Sequence, residues 1–264
     1  MVIVDTHCHA STSWYEPAES LLFHMDRNRV AHAVLVQIMG QYNNDYQFQC
    51  VRRYPDRFVS LVLVDSEKPD AEDELERLVA KGARGVRLRT HTRSPGDDPL
   101  AIWRKAVELG LPISCGGTVD GFASDEFAEL IAEIPGTPII IEHLGSINHP
   151  DGEPAPYPLR RKVFSLARFP NVYIKIHGMG EFCERAMPVT EPFPFELPVP
   201  PLLEMAYEAF GPQRMMWGSD YPPVSQREGY RNALQLTLDQ LRTKSDQDRQ
   251  MIFGGVALDV FGFR

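Results

Sequence analysis

The chain is poor in cysteine. Cys8, Cys50, Cys115 and Cys183 are the only four in 264 residues, and no two form a Cys-x-x-Cys pair. Their spacing suggests no disulfide framework, so they read as reduced thiols of a cytoplasmic protein. Cys115 ends a strand-like run, where it either packs as a small hydrophobe or faces a pocket. No apolar run reaches the roughly 18 residues needed to cross a bilayer, so no membrane association is expected. No secretory signal precedes the first strand-like run. The net charge is −9 with no block of like charges, which argues against nucleic acid as a partner. No internal repeat, low-complexity tract or linker divides the chain, so residues 1–264 are expected to form one domain.

What is present is alternation. Strand-like runs occur at 2–9, 32–38, 58–65, 83–90, 111–116, 137–144, 171–178 and 214–220. Amphipathic segments lie between them, for example 70–81, 99–109, 124–133 and 200–210. Several strand runs are rich in Val and Ile, as parallel strands covered by helices are. Hydrophobic residues make up 43% of the chain, enough for a full core. Eight such units over about 250 residues predict an α/β fold, a (β/α)8 TIM barrel. An open doubly wound sheet is the alternative, but no Gly-x-Gly-x-x-Gly turn follows the first strand. Two connections exceed what a barrel needs, Gly145 to Pro158 and Gly180 to Val199. On the strand C-terminal side such loops act as lids or substrate walls. A contact within a homo-oligomer is the other reading.

The densest chemistry is His7-Cys8-His9 at the end of the first strand. Alternation places Ile3, Asp5, His7 and His9 on one face. Two imidazoles on one strand face can close on a divalent ion. The last strand run ends in Asp220, which meets them only if the sheet closes. Parity also turns Gly85, Arg87 and Arg89 inward, then Tyr173, Lys175 and His177, and finally Met216, Gly218 and Asp220. The expected mouth therefore holds His7, His9, Gln37, Arg87, Arg89, His143, His177 and Asp220, with Lys175 one layer deeper. So many cations at one mouth of an acidic protein point to a small anionic organic ligand. Nothing near Arg87 and Arg89 in sequence offers an acid to both, and Arg93 could join them from the loop. Parity does not fix the face of His143, which could instead pair with Glu142. His177 is either a ligand contact or a satisfied core histidine. His24, His32, His91 and His149 read as surface or loop residues.

A family resemblance rests on several motifs taken in order. They are Val4-Asp5-Thr6-His7-Cys8-His9, Gly85-Val86-Arg87, Ile141-Glu142-His143-Leu144-Gly145 and Asn171-Val172-Tyr173-Ile174-Lys175. Trp217-Gly218-Ser219-Asp220-Tyr221-Pro222 continues the series. Gly254-Gly255-Val256-Ala257-Leu258 ends it, with Val256 where Asn is more common. The chain resembles the amidohydrolase superfamily, in its amidohydrolase-related (amidohydrolase 2) branch of sugar lactonases, pyrone-dicarboxylate lactonase and metal-dependent decarboxylases. The resemblance implies a (β/α)8 barrel with a mononuclear site. His7, His9 and Asp220 would bind the metal, and His143 would assist proton transfer or polarise the substrate. The decarboxylases add a metal-ligating His at the end of the fifth strand. Here Leu111-Pro112-Ile113-Ser114-Cys115-Gly116-Gly117 offers none. The lactonases lack it too, and some of them act without tightly bound metal.

The expected activity is metal-dependent hydrolysis of a lactone or other cyclic ester bearing a carboxylate. Asp220 serves as base and His143 as proton donor or oxyanion partner. Arg87 and Arg89, with His177 as helper, hold the carboxylate. One divalent ion is expected, zinc by ligand type. A non-oxidative decarboxylase of an unsaturated or aromatic acid is the alternative. A non-enzymatic binding barrel is a third reading, but it would not need His7, His9, His143 and Asp220 together.

Overall fold

A computed structural model of the chain describes residues 1–146, 154–191, 193–196 and 198–263. Eight parallel strands run in sequence order around one sheet. They are β1 (Val4–Cys8), β2 (His32–Val36), β3 (Phe58–Val62), β4 (Gly85–Arg89), β5 (Ile113–Gly116), β6 (Ile139–Ile141), β7 (Val172–Ile176) and β8 (Met215–Trp217). Each lies within its expected run. Helices α1 (Ala18–Arg27), α2 (Asp45–Arg53), α3 (Ala71–Ala80) and α4 (Ala101–Glu108) follow the first four strands. The short α5 (Val119–Phe122) and α6 (Asp125–Glu133) follow β5. Then come α7 (Pro158–Phe164) after β6 and α8 (Leu202–Phe210) after β7. Three helices, α9 (Tyr230–Gln240), α10 (Asp246–Gln250) and α11 (Val256–Phe261), follow β8. The start of α6 is legible locally. The Ser124 side chain accepts from the Phe127 amide, the N-cap geometry that a serine ahead of an amphipathic run favours.

Strand parity sorts the core into two clusters. Val86, Leu88, Ile113, Cys115, Ile139, Ile141, Ile174 and Trp217 pack outward against the helices. Cys115 is thus a packing residue. Val4, Val34, Val36, Leu61, Ile140 and Met216 fill the interior, and Val256, Ala257 and Phe261 of α11 close it from below. Gly254 permits this plug, since a Cβ there would sit 2.2 Å from the Val2 carbonyl oxygen.

The barrel closes where β8 returns to β1. The Asp220 amide donates to the His7 carbonyl and the His9 amide to the Tyr221 carbonyl, each at 2.8 Å. Side chains reinforce the seam. Asp5 accepts from the Ser219 amide at 2.8 Å and from its hydroxyl at 2.6 Å. The strands approach so closely that a Cβ on Gly218 would lie 2.7 Å from His7 Cβ and 2.8 Å from its amide nitrogen.

Two expectations need correction. The β1 register shifts between Asp5 and Cys8. Ile3 consequently packs with the outer cluster and Val4 with the inner one, while Asp5 is spent on the seam and His7 points inward. Simple alternation fails because an irregular strand advances the side-chain phase. The described residues of the Gly180–Val199 connection do not line the mouth cavity. Its described part folds back on itself through an Arg185–Phe195 bridge, and only Glu181 reaches the site. His149 lies outside the described residues, as does part of the Gly145–Pro158 connection. Among the described residues no helix is long and apolar enough to cross a membrane.

Gly218→Ala should lower stability by about 1–3 kcal/mol, because the backbone of His7 cannot yield to the added methyl. Urea unfolding checks this. A wild-type midpoint in the variant would mean that the β8–β1 approach is looser than described.

Candidate active site

Two imidazoles and one carboxylate meet where the seam opens at the strand C-terminal ends. His9 Nδ1 lies 2.7 Å from the Val36 carbonyl oxygen, an acceptor, so that nitrogen carries the proton. Its Nε2 lies 3.6 Å from Asp220 Oδ1. His7 Nε2 is 3.8 Å from the same oxygen and is buried without a hydrogen-bond partner. Asp220 reaches this point from a left-handed backbone, φ 58°, a region Asp tolerates better than most side chains. Burial pushes its carboxyl upward, but the His9 hydrogen bond, His143 and Arg227 outweigh this and hold it below the usual carboxylate range. Burial, aided by Lys175, lowers His7 well below the ordinary imidazole value, so it is neutral near pH 7.

His143 follows β6 with φ 54°, which turns it into the mouth. Its partner is not Glu142. Nδ1 lies 2.8 Å from each Glu181 carboxylate oxygen, which leaves Nε2 for the cavity. His177 is fully buried beneath it. The two ring centroids are 3.7 Å apart, and His7 is 4.6 Å from His177. Among the described residues neither nitrogen of His177 has a partner. Burial and the neighbouring His143 push its value well down.

A buried charge network that reaches the cavity wall at Arg87 and Glu142 changes the reading of Arg87. Its guanidinium grips Glu142 through Nε at 3.1 Å and Nη2 at 2.7 Å, and Nη1 donates to the Gln37 carbonyl at 3.0 Å. The fork expected to hold a substrate is therefore taken by a residue 55 positions away. Glu142 also accepts from Ser114 at 2.7 Å, and Lys175 donates to Ser114 at 2.8 Å. Lys175 Nζ sits 3.4 Å from His7 Nδ1, one layer below the mouth as expected. Burial raises the Glu142 carboxyl, but Arg87 and Lys175 more than reverse this and bring it to about 2. Burial lowers Lys175 to about 8, against the pull of Glu142. Gln37 does not reach the mouth, because its side chain is used on Asn43, Asn44 and Ile38. Arg93 is likewise diverted, bonding Thr90 and Thr92 carbonyls and pairing with Glu126. His24 stacks on Tyr230, His32 bonds the Asp56 carbonyl and His91 is exposed. None of these three lines the mouth cavity.

Sequence reasoning missed three charged residues here. Arg227 lies 2.8 Å from Glu181 Oε1, 3.1 Å from Asp220 Oδ2 and 3.6 Å from Glu228 Oε2. One guanidinium thus links the Asp220 carboxylate to the Glu181–His143 pair. The Glu228 carboxylate occupies a hollow made by two glycines. A Cβ on Gly178 would fall 1.5 Å, and one on Gly180 2.1 Å, from its oxygens. Burial raises Glu228 to about 7 against the pull of Arg227. The available signal was the pair Gly178 and Gly180, which leaves room for a side chain from elsewhere.

Above the cluster opens a cavity of about 650 Å³, within the usual range for a small-molecule site. His9, His143 and Asp220 form its floor, Arg89 and Arg227 supply cations, the paired Arg87 and Glu142 also reach its wall, and Trp14, Tyr15 and Ile38 give an apolar side. Arg89 is exposed, and among the described residues no ion pair holds its guanidinium. His177 and Lys175 do not line the cavity, so neither touches a ligand placed there. The donor set fits a divalent ion. His7, His9 and Asp220 offer ligand atoms within 4.8 Å of one another, and the orphaned His7 Nε2 faces the gap.

Imidazoles and a carboxylate gathered at the strand ends of a (β/α)8 barrel define a barrel enzyme with a candidate metal centre. A family model described as amidohydrolase matches residues 4–263, and the chain belongs to that family. It is 26% identical over 218 residues to the 4-sulfomuconolactone hydrolase of Rhizobium radiobacter. That match covers 78% of this chain and 66% of the relative, so the chain spans about two thirds of the relative's length. A probable 2-pyrone-4,6-dicarboxylic acid hydrolase from Acinetobacter baumannii, with citric acid bound, superposes with a TM-score of 0.75 at 22% identity over 100% of both chains. An amidohydrolase from Burkholderia multivorans with bound zinc gives 0.77 at 18% identity, again over 100% of both. At such identities these two structures bear on the fold.

The contrast between the two arginines is measurable. Glu142→Gln leaves Arg87 buried with an unbalanced charge and should cost about 3–5 kcal/mol. Arg89→Met should change stability by less than about 0.5 kcal/mol, as exposed substitutions do. The Glu142 carboxyl is lowered from 4.5 to about 2, so its contribution is present above pH 4.5 and lost as pH falls through about 2. Denaturant titrations across that window should show the wild-type advantage over Glu142→Gln shrinking toward acid. An advantage that grows there would contradict the assignment.

Proposed function

We propose that this protein hydrolyses a small lactone or other cyclic ester carrying a carboxylate. The observation that supports it most is Asp220 Oδ1 facing the Nε2 atoms of His9 and His7, at 3.6 and 3.8 Å, on the floor of a cavity rimmed by Arg89 and Arg227. Asp220 accepts a proton from the attacking water as its oxygen adds to the carbonyl carbon. The ring carbon–oxygen bond then breaks, and His143 gives a proton to the leaving oxygen from Nε2. Glu181 at Nδ1 stabilises the imidazolium that donates it. Arg227 holds Asp220 Oδ2 and so aims Oδ1 at the histidines. Arg89, with no ion pair among the described residues, takes the substrate carboxylate, since the Arg87 fork is held by Glu142. The apolar side formed by Trp14, Tyr15 and Ile38 accepts the ring.

His7, His9 and Asp220 would hold a divalent ion, with zinc favoured by the imidazole ligands. When bound, such an ion polarises a carbonyl and makes a nearby water more acidic. Support for hydrolysis over decarboxylation comes from β5. Its inward position is Ser114, tied to Glu142 and Lys175, where a decarboxylase of this kind would bring a histidine nearby.

A panel of lactones with and without carboxylates, with proton release and carbon dioxide followed separately, tests the reading. Proton release on ring opening of a carboxylated lactone is expected. Carbon dioxide from an aromatic or unsaturated acid, with no lactone turned over, would replace it with the decarboxylase. Asp220→Asn should cut turnover by about 100-fold or more while the fold survives. Arg89→Met should lower kcat/KM about tenfold to hundredfold on acids and much less on their neutral esters, the loss of one charge-assisted bond. Equal losses on acid and ester would remove Arg89 from the binding role.

A further inference from the structure

Two sets of potential ligands share one residue. His7, His9 and Asp220 form the first, and His7, His143 and His177 form the second, each with its ligand atoms within 4.8 Å. The imidazole of His7 is thus in reach of a strand that the first set does not use. His177 comes from the end of β7, beside β8, so β1, β8 and β7 present His7, Asp220 and His177 side by side.

His177 is hard to explain as a core residue. It is fully buried, and among the described residues both ring nitrogens lack partners. Burying such a group unpaired is costly, and native interiors avoid it. Its neighbours are oriented otherwise. His143 has Nδ1 committed to Glu181, and His9 has Nδ1 committed to Val36. Of the four imidazoles in this cluster, His177 is the one with both nitrogens unpartnered among the described residues. It also cannot touch the substrate, since it lies outside the cavity lining.

We propose that His177 is a ligand of the divalent ion, joining His7, His9 and Asp220 and supplying from β7 the imidazole that β5 does not. It rests on reading His7, His9 and Asp220 as the ion's ligands in the proposed hydrolase. His143 stays outside the set, fixing the His177 ring by edge contact and keeping its own Nε2 for the proton step. A site of this make-up takes zinc or cobalt more readily than magnesium or calcium, because three of its four donors are imidazole nitrogens.

The test measures metal in the full-length protein. Apo protein is titrated with zinc against a chromophoric chelator, for wild type, His177→Gln and His143→Gln. Losing an outer partner of a ligating histidine costs about 10–100-fold in affinity, so losing a ligand should exceed about 100-fold. That loss is expected for His177→Gln, with His143→Gln inside the smaller range. His177→Cys loaded with cobalt should gain a thiolate-to-metal absorption band in the near ultraviolet, which only direct ligation produces. Circular dichroism and melting temperature verify the fold of each variant. Nitrogen-15 spectra of wild-type histidine rings, with and without zinc, give the same answer without mutation, since the His177 nitrogens must shift. Unchanged affinity in His177→Gln, no cobalt–thiolate band, or stationary His177 resonances would each overturn the assignment. Uptake lost in His143→Gln alone would move the role to His143. Lactone hydrolysis without any metal uptake would overturn this inference and leave the proposed reaction standing. His177-dependent uptake without hydrolysis would do the reverse.

Discussion

The contact on which the mouth depends is the seam between β8 and β1. Two backbone hydrogen bonds there, from the Asp220 amide to His7 and from the His9 amide to Tyr221, fix three candidate site residues directly. The seam is short, and a buried carboxylate completes it. Asp5 has no exposure, and burial lifts its carboxyl to about 6 even against the hydrogen bonds from Ser219 and His7. A charge kept out of water is expensive unless its bonds are well made. Here those bonds join the first strand to the last, so local cost secures global closure. Gly218 serves the same purpose by absence of a side chain.

Charge in the interior is arranged in two tiers. The lower tier, Arg87 with Glu142, Ser114 and Lys175, crosses the barrel from β4 to β7 and reaches the cavity wall at Arg87 and Glu142. The upper tier, Glu228, Arg227, Glu181 and His143, runs along the other side and ends on Asp220. Each tier balances cations against carboxylates, which lets a low-dielectric core hold so many ionisable groups. Between them stand His7 and His177, both neutral for want of solvent. A region of neutral imidazoles flanked by paired charges favours a cation that brings its own compensation, and it holds the reacting atoms in place before a ligand arrives.

The sequence was most legible where periodicity was regular. All eight strands lie inside their expected runs, and the inward faces of β4, β7 and β8 follow from alternation. It was least legible where the backbone leaves the ideal strand. The register shift in β1 reversed the face of Asp5, and positive φ at His143 and Asp220 aims side chains that parity cannot place. The second failure was distance. Arg87 seemed free because its partner lies 55 residues on, and ion pairs between strands leave no local trace. Arg227 and Glu228 fall between the motif that ends at Pro222 and the one that begins at Gly254, so they carried no flag. Gly178 and Gly180 were the readable clue to Glu228, since adjacent missing side chains mark a close approach.

Ser114 has a consequence for how this barrel could change its chemistry. Its hydroxyl passes one hydrogen bond to Glu142 and receives another from Lys175, in a place with no solvent to repair a loss. A histidine at that position would remove the hydroxyl that links Lys175 to Glu142, while the direct Arg87–Glu142 pair would stay in place. Reaching a β5-histidine site from this barrel therefore means finding a new acceptor for a buried ammonium, a demand that falls on β7 and not on β5 itself.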